Sequence, residues 1–331
     1  MKKVLITGSA GFVGAHMVDH ILANTDWHII GIDSFKHRGD SLRIYQDAER
    51  YKIFTHDLNA PISDRMIEKI GDIDYIINNA SDSHVDRSID DPVPFVQNNV
   101  NIALNMLEYA KKIKVEKFIH ISTDEVYGPA LEGTLHKEWS KIVPSNPYAG
   151  SKACQEAICI SYWRTYGVPL ILTNTMNLIG ERQDCEKFIP LLIGKIYNNE
   201  RVIIHGNKDY IGKRFYLHAR NQADAQLFLL QNKDVTMYKF DINKFILPDR
   251  FNIVGEVELN NLQLGKMVAD IMGKELRYKL VDFHSARPGH DRRYALDGEM
   301  MDSLGWEPPV PFRKSLEKVI EWTLTNKEWL I

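Results

Sequence analysis

The chain has 331 residues, 44% of them hydrophobic and 26% charged. That is the balance of a globular protein with a substantial core, in one large or two closely joined domains. A formal net charge of −3 leaves no basic footprint for nucleic acid, and no stretch is apolar for long enough to span a bilayer. Cys154, Cys159 and Cys185 form neither a metal-ligand spacing nor a disulfide framework. Their pattern points to a reduced, cytoplasmic protein. The apolar run in MKKVLITG is too short for a signal peptide and meets glycines instead of a cleavage site.

In chain order, residues 4–7 read as a buried strand that enters Thr7-Gly8-Ser9-Ala10-Gly11-Phe12-Val13-Gly14, followed by a helical pattern over 12–23. Glycines permit a tight turn, let backbone N–H groups approach a pyrophosphate, and let helix and strand pack closely. The helix N-terminus then faces the anion. The spacing is Gly-x-x-Gly-x-x-Gly rather than Gly-x-Gly-x-x-Gly, but its place between a first strand and a first helix makes it a dinucleotide loop. A second strand over 27–32 ends at Asp33. A carboxylate about twenty residues past such a loop accepts hydrogen bonds from both ribose hydroxyls and repels a 2′-phosphate. That favours NAD over NADP, a preference softened by the neighbouring Lys36, His37 and Arg38. Strands over 52–55 and 75–78 follow. Asp57-Leu58, after the first of these, suits the adenine end, although an Asp after a strand is also common in turns.

A helix is expected over 94–112, where Val96, Val100, Ala103, Leu104 and Leu107 keep helical spacing. A fifth strand over 117–122 runs into STDEVYG, a helix covers 148–166, and a sixth strand covers 169–173. Strands alternating with helices imply an α/β fold of Rossmann type, a doubly wound parallel sheet with right-handed crossovers. After Gly180 the rhythm breaks into shorter, more charged elements and the Pro-rich run 307–311. Residues 1–180 are expected to form the NAD-binding part. Residues 181–331 then form a smaller C-terminal cap for substrate, the chain being free to cross between the two. Ligands of such sheets bind outside the carboxyl ends of the strands, which is the edge that STDEVYG leaves.

Asp124 and Glu125, adjacent and just behind Thr123, have a simple reading as a solvated turn. The chemical reading is an acid and a base at neighbouring positions, their pKa values pushed apart by mutual repulsion. Tyr148 and Lys152 lie one turn apart on one helix face, where the ammonium favours phenolate and lowers the tyrosine's pKa. The lysine can also bond a ribose hydroxyl.

Together these stretches resemble the extended short-chain dehydrogenase/reductase superfamily and, within it, the nucleotide-sugar 4,6-dehydratases, especially the dTDP-glucose 4,6-dehydratase family. The resemblance rests on TGSAGFVG, SDSHVDRSI at 81–89, STDEVYG, NPYAGSKA at 146–153, EKFIP at 186–190 and RPGHDRRYALD at 287–297, in the family's order. STDEVYG is the specific one, because epimerases of the superfamily lack the Asp-Glu pair there. The resemblance implies that Tyr148, assisted by Thr123, takes the C4 hydroxyl proton as hydride passes to NAD. Glu125 then removes the C5 proton, Asp124 protonates the departing C6 hydroxyl, and the hydride returns to C6. It implies a cofactor site of Gly8, Gly11, Phe12, Val13, Gly14 and Asp33, extended by Asp57, Leu58, Ala80, Asn99 and Ser122, with Tyr148 and Lys152 at the nicotinamide end. His84 and Asn177 would line the sugar and phosphate. Lys187, Arg214 and Arg287 would neutralise the diphosphate, and His290 would contact the base or serve structurally. Relatives commonly dimerise, and the apolar Ala153, Ala157, Ile158, Tyr162 and Trp163 allow a homodimer.

The chain departs from the family's pattern over HGNKDYIGKRFYLHARNQADA, where Arg214 aligns only past an apparent insertion and Asn221 stands at a usual Asp position, and again over 231–250. UDP-glucose therefore stands beside dTDP-glucose as substrate. A nucleotide-sugar 4-epimerase, which has no use for Asp124 and Glu125, and a non-catalytic NAD-binding scaffold are the rival functions.

Overall fold

The strands of the first half are apolar without alternation, as a parallel sheet covered on both faces requires. The computed structural model describes residues 1–36, 40–44, 49–207, 209–233, 235, 246–282 and 291–330. In it these runs become β1 (Lys3–Thr7), β2 (His28–Asp33), β3 (Tyr51–Thr55), β4 (Tyr75–Asn78), β5 (Lys117–Thr123) and β6 (Leu170–Thr175). Further on come β7 (Asn177–Ile179), β8 (Val202–His205), β9 (Lys213–His218), β10 (Asp249–Ile253), β11 (Val257–Asn260) and β12 (Tyr278–Val281). The helices are α1 (Phe12–Asn24), α2 (Asp64–Ile70), α3 (Val85–Asp90), α4 (Pro92–Ile113), α5 (Pro147–Tyr166), α6 (Phe188–Tyr197), α7 (Ala219–Gln231), α8 (Asn261–Ile271), α9 (Glu299–Ser303) and α10 (Phe312–Thr325).

The main sheet has seven strands in the order β10-β6-β5-β4-β1-β2-β3, every neighbouring pair parallel. This is the Rossmann-type sheet expected from the alternation of elements. Successive residues of a strand face opposite sides, and the two cores follow from that. Val4, Ile6 and Ile77 pack with Met17 and Ile21 of α1 and with Leu227 and Leu230 of α7. Leu5, Ile76 and Phe118 pack with Met106 and Leu107 of α4 and with Cys159 and Trp163 of α5. A third cluster, with Ile193, Ile204, Val268 and Leu316, joins α6, β8, α8 and α10 into a separate layer. The chain crosses back from that half: β10 completes the main sheet beside β6, and α7 covers its first face. No helix among the described residues is long and apolar enough to cross a membrane.

Two helix starts fix the site. Asn146 caps α5, its Oδ1 accepting the Ala149 N–H at 2.8 Å, with Pro147 at the first helical position, an arrangement that satisfies an orphan amide and pre-sets the chain direction. Gly11 caps α1 with no side-chain hydrogen bond, so the first-turn N–H groups of that helix have no side-chain cap in the protein itself. Strand order reverses between β1 and β4, which opens the crevice where such sheets take their ligands.

Ile77 has no solvent exposure and sits in the middle of the sheet, so Ile77→Ala should cost about 2–5 kcal/mol of unfolding free energy. A urea melt with unchanged slope checks it.

Candidate active site

At the crevice, Thr7 ends β1 and ties it to the end of β4. Its hydroxyl donates to Asn78 Oδ1 and accepts the N–H groups of Asn79 and Ala80, all at 2.9 Å. Gly8 follows with φ +66°, where a Cβ would stand 3.1 Å from the Ala80 Cα. A Cβ on Gly14 would stand 2.0 Å from the Gly8 carbonyl oxygen, so the loop closes onto α1 only without side chains. These are the features of a pyrophosphate cradle, a bare turn leading into an N-terminus with no side-chain cap, where Phe12 and Val13 begin the helix.

Asp33 is buried and holds the loop from beneath, accepting the Ala10 N–H at 3.0 Å and the Phe35 N–H at 2.9 Å, one on each oxygen. Each carboxylate oxygen keeps a further lone pair for a ribose hydroxyl. Lys36 is bonded to Asp57, which it holds below the usual carboxylate range, so its charge is engaged there. Leu58 is buried, and its carbonyl accepts Asn105 Nδ2 at 2.7 Å. Asn99 is committed within the protein: Nδ2 donates to Ser151 Oγ at 2.8 Å and to the Asp82 carbonyl at 3.0 Å, and Oδ1 accepts the Asp82 N–H at 2.8 Å. It shapes the wall between Ala80 and α5.

The reaction end is built where β5 passes into a 3-10 turn at Asp124–Tyr127. Thr123 Oγ1 donates to Asp124 Oδ1 at 3.0 Å and accepts the Glu125 N–H at 3.3 Å. Asp124 is 3% exposed, and among the described residues neither its Oδ2 nor the buried Ser122 Oγ finds a hydrogen-bond partner. Burial, and after it the charge of Glu125, push the Asp124 carboxyl up to about 7. Burial raises Glu125 too, but Glu125 Oε2 accepts from Asn146 Nδ2 at 3.0 Å and from the Tyr294 hydroxyl at 3.2 Å, and these bonds and Arg214 pull it back down. Burial thus raises both carboxyls, the charge of Glu125 raises Asp124 further, and the donors to Glu125 oppose its rise.

Tyr148 lies in the first turn of α5, its N–H on Ser88 Oγ at 3.1 Å. Burial drives its phenol well above the ordinary range, Glu125 adds to this, and a hydrogen bond with Thr123 opposes it. The expected lowering by Lys152 is not what governs this phenol. The Lys152 ammonium donates to the Ile121 carbonyl at 2.7 Å, and burial brings it down to about 8, with Glu156 opposing.

On the substrate side, His84 caps α3, Nδ1 accepting the Arg87 N–H at 3.4 Å. Its Nε2 lies 3.4 Å from Glu186 Oε1, and burial, then Lys187, hold the ring below its usual pKa. SDSHVDRSI and EKFIP are thereby brought together. Asn177 opens β7, exposed, opposite Tyr216 of β9. Arg214 reaches the site otherwise than expected: Nη1 and Nη2 donate to the carbonyls of Arg292 at 2.8 Å and Asp291 at 2.6 Å, and its guanidinium stacks on the Tyr294 ring at 4.6 Å, facing the carboxylate pair. Arg287 and His290 lie outside the described residues.

A profile of the family described as GDP-mannose 4,6 dehydratase matches residues 5–319. The chain belongs to this family. It is 34% identical over 356 residues to dTDP-glucose 4,6-dehydratase 1 of Escherichia coli strain K12, across 99% of this chain and 94% of that one. It is 33% identical over 329 residues to the low-salt glycan biosynthesis protein Agl12 of Haloferax volcanii, across 98% and 99%. Among solved structures, DesIV, a dTDP-glucose 4,6-dehydratase of Streptomyces venezuelae with NAD and TYD bound, superposes with a TM-score of 0.85 at 29% identity, covering 99% of this chain and 98% of that one.

Membership in the family places the Asn146 and Tyr294 contacts in motifs already quoted, although neither residue drew attention in the sequence. Asn146 had a signal, an Asn before a Pro at a helix start. Tyr294 had none, because its donor role depends on a loop 169 residues away in sequence.

The raised Asp124 carboxyl carries a pH signature. Its folded pKa lies above the unfolded value, so the favourable term is fully present below about pH 4 and is lost as pH rises through about 7. Asp124→Asn should therefore raise stability above about pH 8, by up to about 4 kcal/mol, with the gain vanishing toward about pH 4. Melting curves of the two chains across that range check the sign.

Proposed function

We propose that this protein converts dTDP-glucose to dTDP-4-keto-6-deoxy-glucose and water. It is an NAD-dependent sugar-nucleotide 4,6-dehydratase. The observation that carries the reaction is the pairing of a buried, proton-retaining Asp124 with a hydrogen-bonded Glu125 at the end of β5, beside Thr123 and Tyr148. A 4-epimerase needs no such pair.

When bound, NAD takes up a hydride from the sugar and gives it back. Gly8, Gly11 and Gly14 would admit its pyrophosphate to the start of α1, and Asp33 its adenosine ribose. A positive nicotinamide ring held there would supply charge that favours ionisation of a buried phenol, against the burial and the Glu125 charge that oppose it at Tyr148. Tyr148, hydrogen-bonded by Thr123, accepts the C4 hydroxyl proton. Glu125, its lone pair oriented by Asn146 and Tyr294, takes the proton from C5, acidified by the adjacent ketone. Asp124, still protonated near neutral pH, gives its proton to the C6 hydroxyl, which leaves as water. An acid and a base acting on neighbouring carbons each contribute about a hundred- to ten-thousandfold.

Purified enzyme incubated with dTDP-glucose should give the alkali-developed absorbance of a 4-keto-6-deoxy sugar. Glu125→Gln should lower that rate by about a hundred- to ten-thousandfold and suppress exchange of the C5 hydrogen with deuterated water, while leaving NAD bound. Turnover of UDP-glucose in place of dTDP-glucose would move the assignment to that nucleotide. A product that retains its 6-hydroxyl would replace it with an epimerase.

A further inference from the structure

Arg250, the second residue of β10, is 1% exposed. Its Nη2 donates to Glu156 Oε2 at 2.7 Å and its Nε to Asn174 Oδ1 at 2.9 Å. The guanidinium lies between two rings, with its centre 5.0 Å from the centroid of Tyr127 and 5.0 Å from that of Trp139. Glu156 and Asn174 have no exposure. Asn174 Nδ2 donates both to Glu156 Oε1 at 2.8 Å and to the Thr123 carbonyl at 2.9 Å. An arginine can only donate, so it fixes which way the Asn174 amide faces, and hence which group the Thr123 carbonyl meets.

The chain of contacts touches the reaction end at three places. Asn174 holds the carbonyl of Thr123, Tyr127 belongs to STDEVYG, and Glu156 stands one turn beyond Lys152 on the helix that carries Tyr148. Burying an ion pair is expensive, and such pairs seldom add net stability over apolar side chains of similar size. Their value lies in the arrangement they specify.

Resting on the dehydratase reading above, we infer that Arg250 is a positioning residue: through Asn174 and Glu156 it sets the end of β5 against α5, so that the Thr123 hydroxyl meets the Tyr148 phenol. No sequence motif pointed to it. It lies on a strand contributed by the other half of the chain, in the stretch that departs from the family's pattern.

The test is the paired replacement Arg250→Met with Glu156→Met, which removes no net charge and leaves an apolar filling. The groups that face Tyr148 are Asp124 and Glu125 from the turn, with Arg214 beyond them and Lys152 one turn along its own helix. From α3, Ser88 Oγ accepts the Tyr148 N–H, and from α4 the Phe95 ring packs edge-on against the Tyr148 ring; neither group titrates. All of these side chains are kept; loss of Glu156 lowers Lys152 further, an effect absent from Arg250→Lys, which retains Glu156. With bound NAD and thermal midpoint retained, kcat should fall about a hundredfold, the cost of a displacement of about 1 Å, while KM stays within about threefold. In the NAD-bound enzyme without substrate, the tyrosinate difference band assigned by subtraction of Tyr148→Phe should titrate at a midpoint displaced from the parent's, because the contact between Thr123 and the phenol is altered. Arg250→Lys, which keeps the charge without the fork, should show a smaller loss of kcat, and it carries the test if the paired variant does not fold. Unchanged kcat and an unchanged tyrosinate midpoint would reduce the pair to packing and overturn the inference. If the parent enzyme turned over neither sugar nucleotide, the dehydratase reading would fail by itself, and the tyrosinate midpoint, which needs no substrate, would still decide the role of Arg250.

Discussion

The site depends on one constraint, the parallel pairing of β1 with β2 on one side and β4 on the other. Parallel strands bring their carboxyl ends to one edge, and the reversal of direction beside β1 leaves the loops after β1 and β4 diverging at that edge. The Thr7 hydroxyl closes the gap beneath them by taking the N–H groups of Asn79 and Ala80. The glycine loop must then pass within van der Waals contact of Ala80, which is why Gly8 adopts a positive φ. From the same edge, one strand further out, β5 delivers Thr123 and the carboxylates. A single topological feature thus sets the distance between the glycine loop and the two carboxyls.

Solvation does most of the electrostatic work at that edge. Burial is the first cause of the shifts at Asp124, Glu125, Tyr148 and Lys152. A buried carboxyl with an oxygen lacking any partner keeps its proton, whereas one that receives two donors can release it. The same burial that arms Asp124 disarms Tyr148, whose ionisation in the protein alone is opposed by both carboxylates. A positive charge brought beside the phenol would favour its ionisation.

Much of this was legible in the sequence, for local reasons. The first six strands are short apolar runs broken by turns, and the glycine loop, Asp33, STDEVYG and Tyr148-x-x-x-Lys152 are each contained in a few residues. What was not legible is whatever depends on contact between distant segments. That β10 rejoins the main sheet and α7 covers its first face leaves little local mark, since a five-residue strand and an amphipathic helix would read alike in a cap. Arg214 was expected at the diphosphate, and that two of its nitrogens donate to the carbonyls of Asp291 and Arg292 while its face lies on Tyr294 leaves no mark in the sequence. The expectation that repulsion would separate the carboxyls came from adjacency alone, because sequence does not report desolvation.

Adjacency itself finds its explanation in the backbone. Two neighbouring residues on a strand point to opposite faces, which would place one carboxylate near the cofactor and lose the other in the opposite core. In a 3-10 turn successive side chains are instead about 120° apart. The chain makes that turn at Asp124–Tyr127, with Thr123 as its N-cap. The rotation sends Asp124 inward, where its Oδ1 meets the Thr123 hydroxyl, and Glu125 sideways to Asn146 and Tyr294. The two carboxyls thus stand in different surroundings, Asp124 meeting Thr123 and Glu125 meeting Asn146 and Tyr294. The side chains diverge because the strand stops at Thr123, where the threonine hydroxyl takes the Glu125 N–H that would otherwise have continued the ladder.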